Sequence, residues 1–241
     1  MRLTFLGTRA NTKMATRRHR RHSALLVRRG RARGVMIDCG ADWLGRIEQL
    51  NPHAIVITHA HPDHARALKG GAPCPVYATE ESWRGMAGYP IAERRVVAPR
   101  DAIDIAGLVF EAFALDHSVR APAVGYRVSA GGHSLFYAPD VVAIRDRAGA
   151  LAGVDLYIGD GSAMTRPIVR RHGNAEFGHT TVRAQLDWCG EAGVRRAVFT
   201  HCGKEIMAAD ERGLGATLRV MARERGVTAR FAYDGLEMVL S

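Results

Sequence analysis

Ile55-Val56-Ile57-Thr58-His59-Ala60-His61-Pro62-Asp63-His64 sets an apolar, largely β-branched run directly against three imidazoles and a carboxylate. A run of that kind reads as a buried strand. Four side chains of metal-ligand type then follow on a turn whose backbone Pro62 helps to keep extended. Packed this closely, their donor atoms compete for the same polar space, and folding them together is costly unless a cation satisfies them. The cluster therefore predicts a metal centre at the end of a strand.

Working outward, the same arrangement recurs. Val35-Met36-Ile37-Asp38-Cys39-Gly40, Leu115-Asp116-His117-Ser118, Phe136-Tyr137-Ala138-Pro139-Asp140 and Val198-Phe199-Thr200-His201-Cys202-Gly203 each end an apolar strand in a ligand-type side chain. Period-two patterning predicts strands over 2–6, 23–27, 34–37, 54–58, 75–78, 108–115, 124–129 and 134–138, with 155–158, 196–200 and 236–240 in the second half. Helical periodicity fits 42–50, 80–86, 180–192 and 205–225, the third opening on a threonine cap and closing before Gly193. Strands interleaved with helices imply an α/β (α+β) architecture, with sheets covered on their outer faces and an αββα sandwich as one solution.

His-x-His-x-Asp-His after an apolar strand and Thr58 resembles the signature of the metallo-β-lactamase superfamily, and the later strand-end motifs follow in that family's order. The resemblance runs from Leu3 to about Lys204 and implies one αββα domain over residues 1–241. It also implies two divalent metal ions. His59, His61 and His117 would hold the first, Asp63, His64 and His201 the second, with Asp140 bridging. Such nitrogen- and oxygen-rich pockets suit zinc first, with manganese or iron as alternatives. A water bridging two cations ionises near neutral pH and becomes the nucleophile. The di-iron redox branch places Glu where this chain has Ala60, which argues against that chemistry.

Within the superfamily, His117-Ser118-Val119 with Gly125-Tyr126-Arg127-Val128, and Gly178-His179-Thr180-Thr181 before a helix, resemble the RNase Z and cyclic phosphodiesterase branch. That likeness makes His179 the candidate general acid, because a departing alkoxide needs a proton. The alternative is a helix cap. The branch's orienting carboxylate lies in a His-Glu-Ala-Thr segment, whereas this chain reads Gly159-Asp160-Gly161-Ser162. Asp160 is the candidate replacement, with a plain turn as the alternative. RNase Z carries a long arm for transfer RNA between the third motif and the aspartate motif. Here His117 and Asp140 are 140 − 117 = 23 residues apart, too few to hold one. The cysteine-rich extra zinc site of the phosphonate-pathway relative is missing too.

The formal charge, 34 − 24 = +10, favours anionic partners, a phosphodiester or nucleic acid among them. The densest basic run is Arg17-Arg18-His19-Arg20-Arg21-His22, and Thr165-Arg166-Pro167-Ile168-Val169-Arg170-Arg171-His172 is also basic. Arg18, Arg20, Arg166 and Arg170 are the candidate substrate-binding cations; a solvated basic surface is the alternative. The four cysteines lack CxxC spacing, and no apolar stretch is long enough to span a bilayer. Reduced thiols, a cytoplasmic location and no membrane partner are the expectations, and a homo-oligomer is compatible with them. Three functions stand: a phosphodiesterase or nuclease, a hydrolase of lactones or thioesters, and a non-catalytic nucleic-acid-binding module on this fold.

Overall fold

The computed structural model describes residues 1–173 and 175–241. Its strands are β1 (Arg2–Gly7), β2 (Ala24–Arg28), β3 (Val35–Ile37), β4 (Ala54–Val56), β5 (Val76–Ala78), β6 (Arg94–Val96), β7 (Ala102–Ile105), β8 (Leu108–Asp116), β9 (Ala123–Ala130), β10 (His133–Tyr137), β11 (Ala143–Ile144), β12 (Leu156–Asp160), β13 (Ile168–His172), β14 (Ala175–His179), β15 (Arg196–Thr200), β16 (Thr228–Phe231) and β17 (Glu237–Val239). The α-helices are α1 (Pro62–Ala65), α2 (Glu80–Gly85), α3 (Arg147–Leu151), α4 (Val182–Glu191), α5 (Lys204–Ala208) and α6 (Glu211–Arg223).

One sheet runs β17-β1-β2-β3-β4-β5-β6, antiparallel as far as β3 and parallel from β3 to β6. The other runs β11-β8-β9-β10-β12-β15-β16, with β7 also paired to β8, and is parallel from β10 onward. Side-chain alternation explains why the sheets stack. Leu25, Val27, Ala54 and Val56 join Phe110, Tyr126, Leu135 and Tyr137 in one core between the sheets. Their neighbours Leu26 and Ile55 face the other way and pack with Trp83, Met86 and Leu68. On the second sheet, Phe136, Tyr157 and Phe199 face outward against Leu186 of α4 and Leu218 of α6. Three apolar layers bounded by helices make an αββα sandwich.

Two predicted helices divide. Residues 42–50 form two 3-10 turns, Ala41–Trp43 and Ile47–Leu50, on either side of Gly45 at φ +68°. Residues 205–225 split into α5 and α6, because the Asp210 carboxylate accepts from Gly213 N at 2.7 Å and starts a new helix. Strands β6, β7 and β16 and the β13–β14 hairpin were not anticipated. Helix α4 is capped by Thr181, whose hydroxyl accepts from Ala184 N at 3.0 Å. Thr181→Ala is expected to cost about 1 kcal/mol in chemical denaturation. Among the described residues, no helix is long and apolar enough to cross a membrane.

Candidate metal centre

Seven strand ends converge on one spot. Past β4 come His59, His61, Asp63 and His64; past β8, His117; past β10, Asp140; past β15, His201; Asp160 and His179 end β12 and β14, and Asp38 follows β3. His59, His61, His117 and Asp140 offer donor atoms within 4.8 Å of one another, and so do Asp63, His64, His201 and Asp140. The two groups share Asp140. Its Oδ2 lies 3.3 Å from His59 Nε2, 3.4 Å from His117 Nε2 and 3.0 Å from His64 Nε2, so one oxygen faces both groups. Within the second group, Asp63 Oδ2 is 3.4 Å from His64 Nε2 and 3.2 Å from His201 Nε2.

Three of the imidazoles, those of His59, His64 and His117, are turned by a partner on the far side. His64 Nδ1 donates to Asp38 at 2.8 Å, and His117 Nδ1 donates to the Gly178 carbonyl at 3.0 Å. The Thr58 hydroxyl donates to Asp38 and accepts from His59 Nδ1 at 3.0 Å. Such contacts fix the tautomer and leave Nε2 free to bind a metal. The polypeptide bends sharply to make them: Asp38 and His201 sit in the left-handed region at φ +63° and +51°. For residues other than glycine that conformation is strained and recurs at functional sites. Gly40 serves closeness, since a Cβ there would lie 2.0 Å from the Asp63 carbonyl oxygen.

The electrostatics fit a cationic occupant. Asp38, Asp63, Asp140 and Asp160 are four carboxylates buried together. Unbalanced, that charge is prohibitive in a protein interior, and two divalent cations would match it. Asp63 Oδ1, Asp140 Oδ1 and His64 Nε2 are buried without a hydrogen-bond partner, as metal-directed atoms are. Burial opposes a charged His64, yet the surrounding carboxylates hold its pKa well above the ordinary value; His201 behaves alike. Burial and the neighbouring His117 push His61 down to about 4. The donor set fits two divalent ions.

His179 and Asp160 form a dyad at the edge of these groups. His179 Nδ1 lies 2.7 Å from Asp160 Oδ2 and 3.3 Å from Asp140 Oδ1, and the imidazole remains 21% exposed. Burial alone would lower the His179 pKa, but Asp160 and Asp140 outweigh it and hold it up at about 10. His179 is therefore not the cap of α4. Gln185 of α4 grips Asp160 from behind: its Oε1 accepts from Asp160 N and its Nε2 donates to Asp160 O, both at 2.8 Å. Ser162 reaches the other side, where its hydroxyl lies 3.0 Å from His201 Nδ1 and its N–H donates to Asp160 Oδ1 at 2.8 Å.

Of the four candidate arginines, none stands among these side chains. Arg18 lies over the Tyr233 ring and pairs with Glu211. Arg20 is exposed and its N–H donates to Asp234 at 2.9 Å. Arg166 and Arg170 are exposed. The pairing of Ile168 with His179 and of Arg170 with Phe177 puts Arg170 on the His179 face of the hairpin, one alternation further out.

Sequence reasoning gave no role to Asp38, Thr58, Ser162, Gln185 or Gly178. Thr58 and Gly178 stood within the quoted motifs, and Asp38 ended an apolar strand two residues before Gly40. Asp38→Asn keeps a side chain that tolerates positive φ while removing the charge behind His64. It is expected to weaken metal binding about 10- to 100-fold, measured by competition with a chelating dye.

The beta-lactamase superfamily domain matches residues 33–202, a span that holds every donor named above. The chain belongs to that superfamily. Solved structures of this fold superpose over essentially the whole chain. Zn(2+)-bound PqqB from Methylobacterium extorquens matches with a TM-score of 0.72 at 19% identity, covering 100% of both chains. A diphosphatase of the PhnP family matches with a TM-score of 0.72 at 22% identity, covering 99% of this chain and 97% of that one. The short form of human tRNase Z matches with a TM-score of 0.63 at 20% identity, covering 100% of both. No curated protein matches the chain by sequence. Superfamily membership and these likenesses establish the metallo-β-lactamase fold.

Proposed function

We propose that this superfamily member is a metal-dependent hydrolase that cleaves phosphodiesters, acting on small or cyclic phosphodiesters or on nucleic-acid ends. The observation that carries this reading is the His179–Asp160 dyad, 2.7 Å across and beside Asp140 at the rim of the donor groups. A phosphodiester releases an alkoxide that must be protonated, and its non-bridging oxygens carry charge. An imidazole at the rim, its Nδ1 held by Asp160, can hand a proton to the first and hydrogen-bond the second. A thioester's thiolate leaves without such a proton; a lactone's alkoxide needs one, but neither ester carries the charged non-bridging oxygens of a phosphodiester.

His59, His61, His117 and Asp140 would hold one ion, and Asp63, His64, His201 and Asp140 the other. Bound divalent cations, zinc first, supply the Lewis acidity that ionises water near neutral pH and draws charge from the phosphoryl oxygen. Asp160 holds His179 Nδ1–H, which leaves Nε2 as the ring atom that passes a proton to the leaving oxygen as its bond to phosphorus breaks. Arg170, on the same face of the hairpin, would meet a substrate anion beyond that point.

The solved relatives support this choice of chemistry: one is named a diphosphatase, another a tRNase Z, and PqqB carries zinc. The short span between His117 and Asp140 favours a small or flexible substrate. A panel on the metal-reconstituted chain tests the reading, with a bis-aryl phosphodiester, cyclic nucleotides, RNA and DNA ends, a lactone and a thioester. Turnover of phosphodiesters is the expected result. Lactone or thioester turnover without phosphodiester cleavage would overturn it.

A further inference from the structure

A second cavity, of about 620 Å³, opens between the basic loop, α5, α6 and the edge strand β16. None of the metal-centre side chains lines it. Its floor is apolar and partly aromatic, formed by Ile206, Met207, Leu214, Phe231 and Tyr233. Its rim is cationic. Arg17, Arg18, Arg219 and Arg230 all border the opening, against a single carboxylate, Glu211. Glu211 is already paired with Arg18. Among the described residues, Arg17, Arg219 and Arg230 have no carboxylate within salt-bridge distance.

The loop that supplies Arg17 and Arg18 is fastened in place. The Asp234 carboxylate accepts from the N–H groups of Arg20 at 2.9 Å and Arg21 at 3.0 Å and from the Thr8 hydroxyl at 2.7 Å. Asp234 N donates back to the Arg18 carbonyl at 2.8 Å, and His19 Nδ1 lies 2.8 Å from the Thr8 hydroxyl. The loop that forms one wall of the cavity is thus held at both ends. Its volume falls in the range of about 300–1,000 Å³ that small-molecule sites occupy. The guanidinium of Arg18 lies 4.5 Å from the centre of the Tyr233 ring and covers one of its faces.

We infer that this cavity binds a phosphorylated ligand with a flat, apolar body, of the size of a nucleoside monophosphate, at a site separate from the metal centre. The apolar body would lie on Leu214 and Phe231. Its phosphate would meet the guanidinium groups of Arg17 and Arg219, whose planar forks match phosphate oxygens. The densest basic run of the sequence then serves as one wall of a ligand site. This inference does not depend on which bond the metal centre cleaves.

Calorimetric titration of the full chain with AMP, adenosine and inorganic phosphate, with and without a chelator, tests it. One AMP is expected to bind per chain after the metals are removed, more tightly than either adenosine or phosphate alone. The double variant R17E/R219E should weaken AMP binding by about tenfold or more. Its metal content and its turnover of a bis-aryl phosphodiester should stay at the wild-type level. Leu214→Trp, which fills the floor without changing charge, should also block AMP. The inference is overturned if AMP binding disappears with the metals, if phosphate alone binds as well as AMP, or if both variants bind AMP as the wild type does.

Discussion

Asp140→Ala is expected to lower hydrolysis by on the order of a thousandfold or more and to strip metal from both groups of donors together. The Asp140 Oδ2 atom stands 3.0 to 3.4 Å from imidazole nitrogens of both groups, and among the described residues Asp140 is the one side chain that offers a donor atom to both. Bound metal contributes several kcal/mol of charge stabilisation in the transition state, and each 1.36 kcal/mol is a factor of ten. Metal per chain by plasma mass spectrometry, read beside turnover of a bis-aryl phosphodiester, checks the expectation. Asp140→Asn, which keeps one oxygen acceptor, should fall between the two. A variant that holds its metals and turns over normally would remove Asp140 from the centre.

His179→Ala is expected to lower phosphodiester cleavage by about 10² to 10⁴ while metal content stays unchanged. The loss should grow as the leaving group becomes a poorer one, because an aryl oxide departs with little help and an alkoxide does not. That dependence separates proton donation from a merely structural contribution, which would depress every substrate alike. Asp160→Asn should reproduce part of the effect, since the 2.7 Å contact with His179 Nδ1 sets the ring's orientation. A loss independent of the leaving group would return His179 to a packing role.

The donors were legible because they crowd: His59 to His64 place three imidazoles and a carboxylate on one turn, which few other structures explain. The later donors were legible only through the family likeness, since a lone His or Asp at a strand end announces nothing by itself. The supporting layer left fainter traces. Gln185 lies in an ordinary helical segment, and its grip on Asp160 arises from the packing of α4 against β12. The hairpin β13–β14 was hidden because β13 carries Arg170 and Arg171 and is largely exposed. Its pairing includes the Arg171–Glu176 ion pair at 2.7 Å rather than a buried apolar face. The continuous helix over 205–225 failed at Asp210, where a side-chain cap outcompeted helical continuation. The basic run was visible from the start, but only the fold distributes it: Arg17 and Arg18 to the second cavity, Arg21 over the Trp43 ring.

Both donor groups draw on both sheets. In the second, Asp63 and His64 come from the layer containing β4, His201 from the layer containing β15, and Asp63 and His201 are 138 residues apart in the chain. An ion held there is a rivet as well as a reagent: it closes a long loop and clamps the two halves of the sandwich at one end. The chain-entropy cost of that closure is met once, by the fold and the ion together. Losing metal should therefore loosen the joint between the layers first, and the opposite end of the sandwich, where the apolar core and the Arg29–Gly107 hydrogen bond join the sheets, would be the last to part.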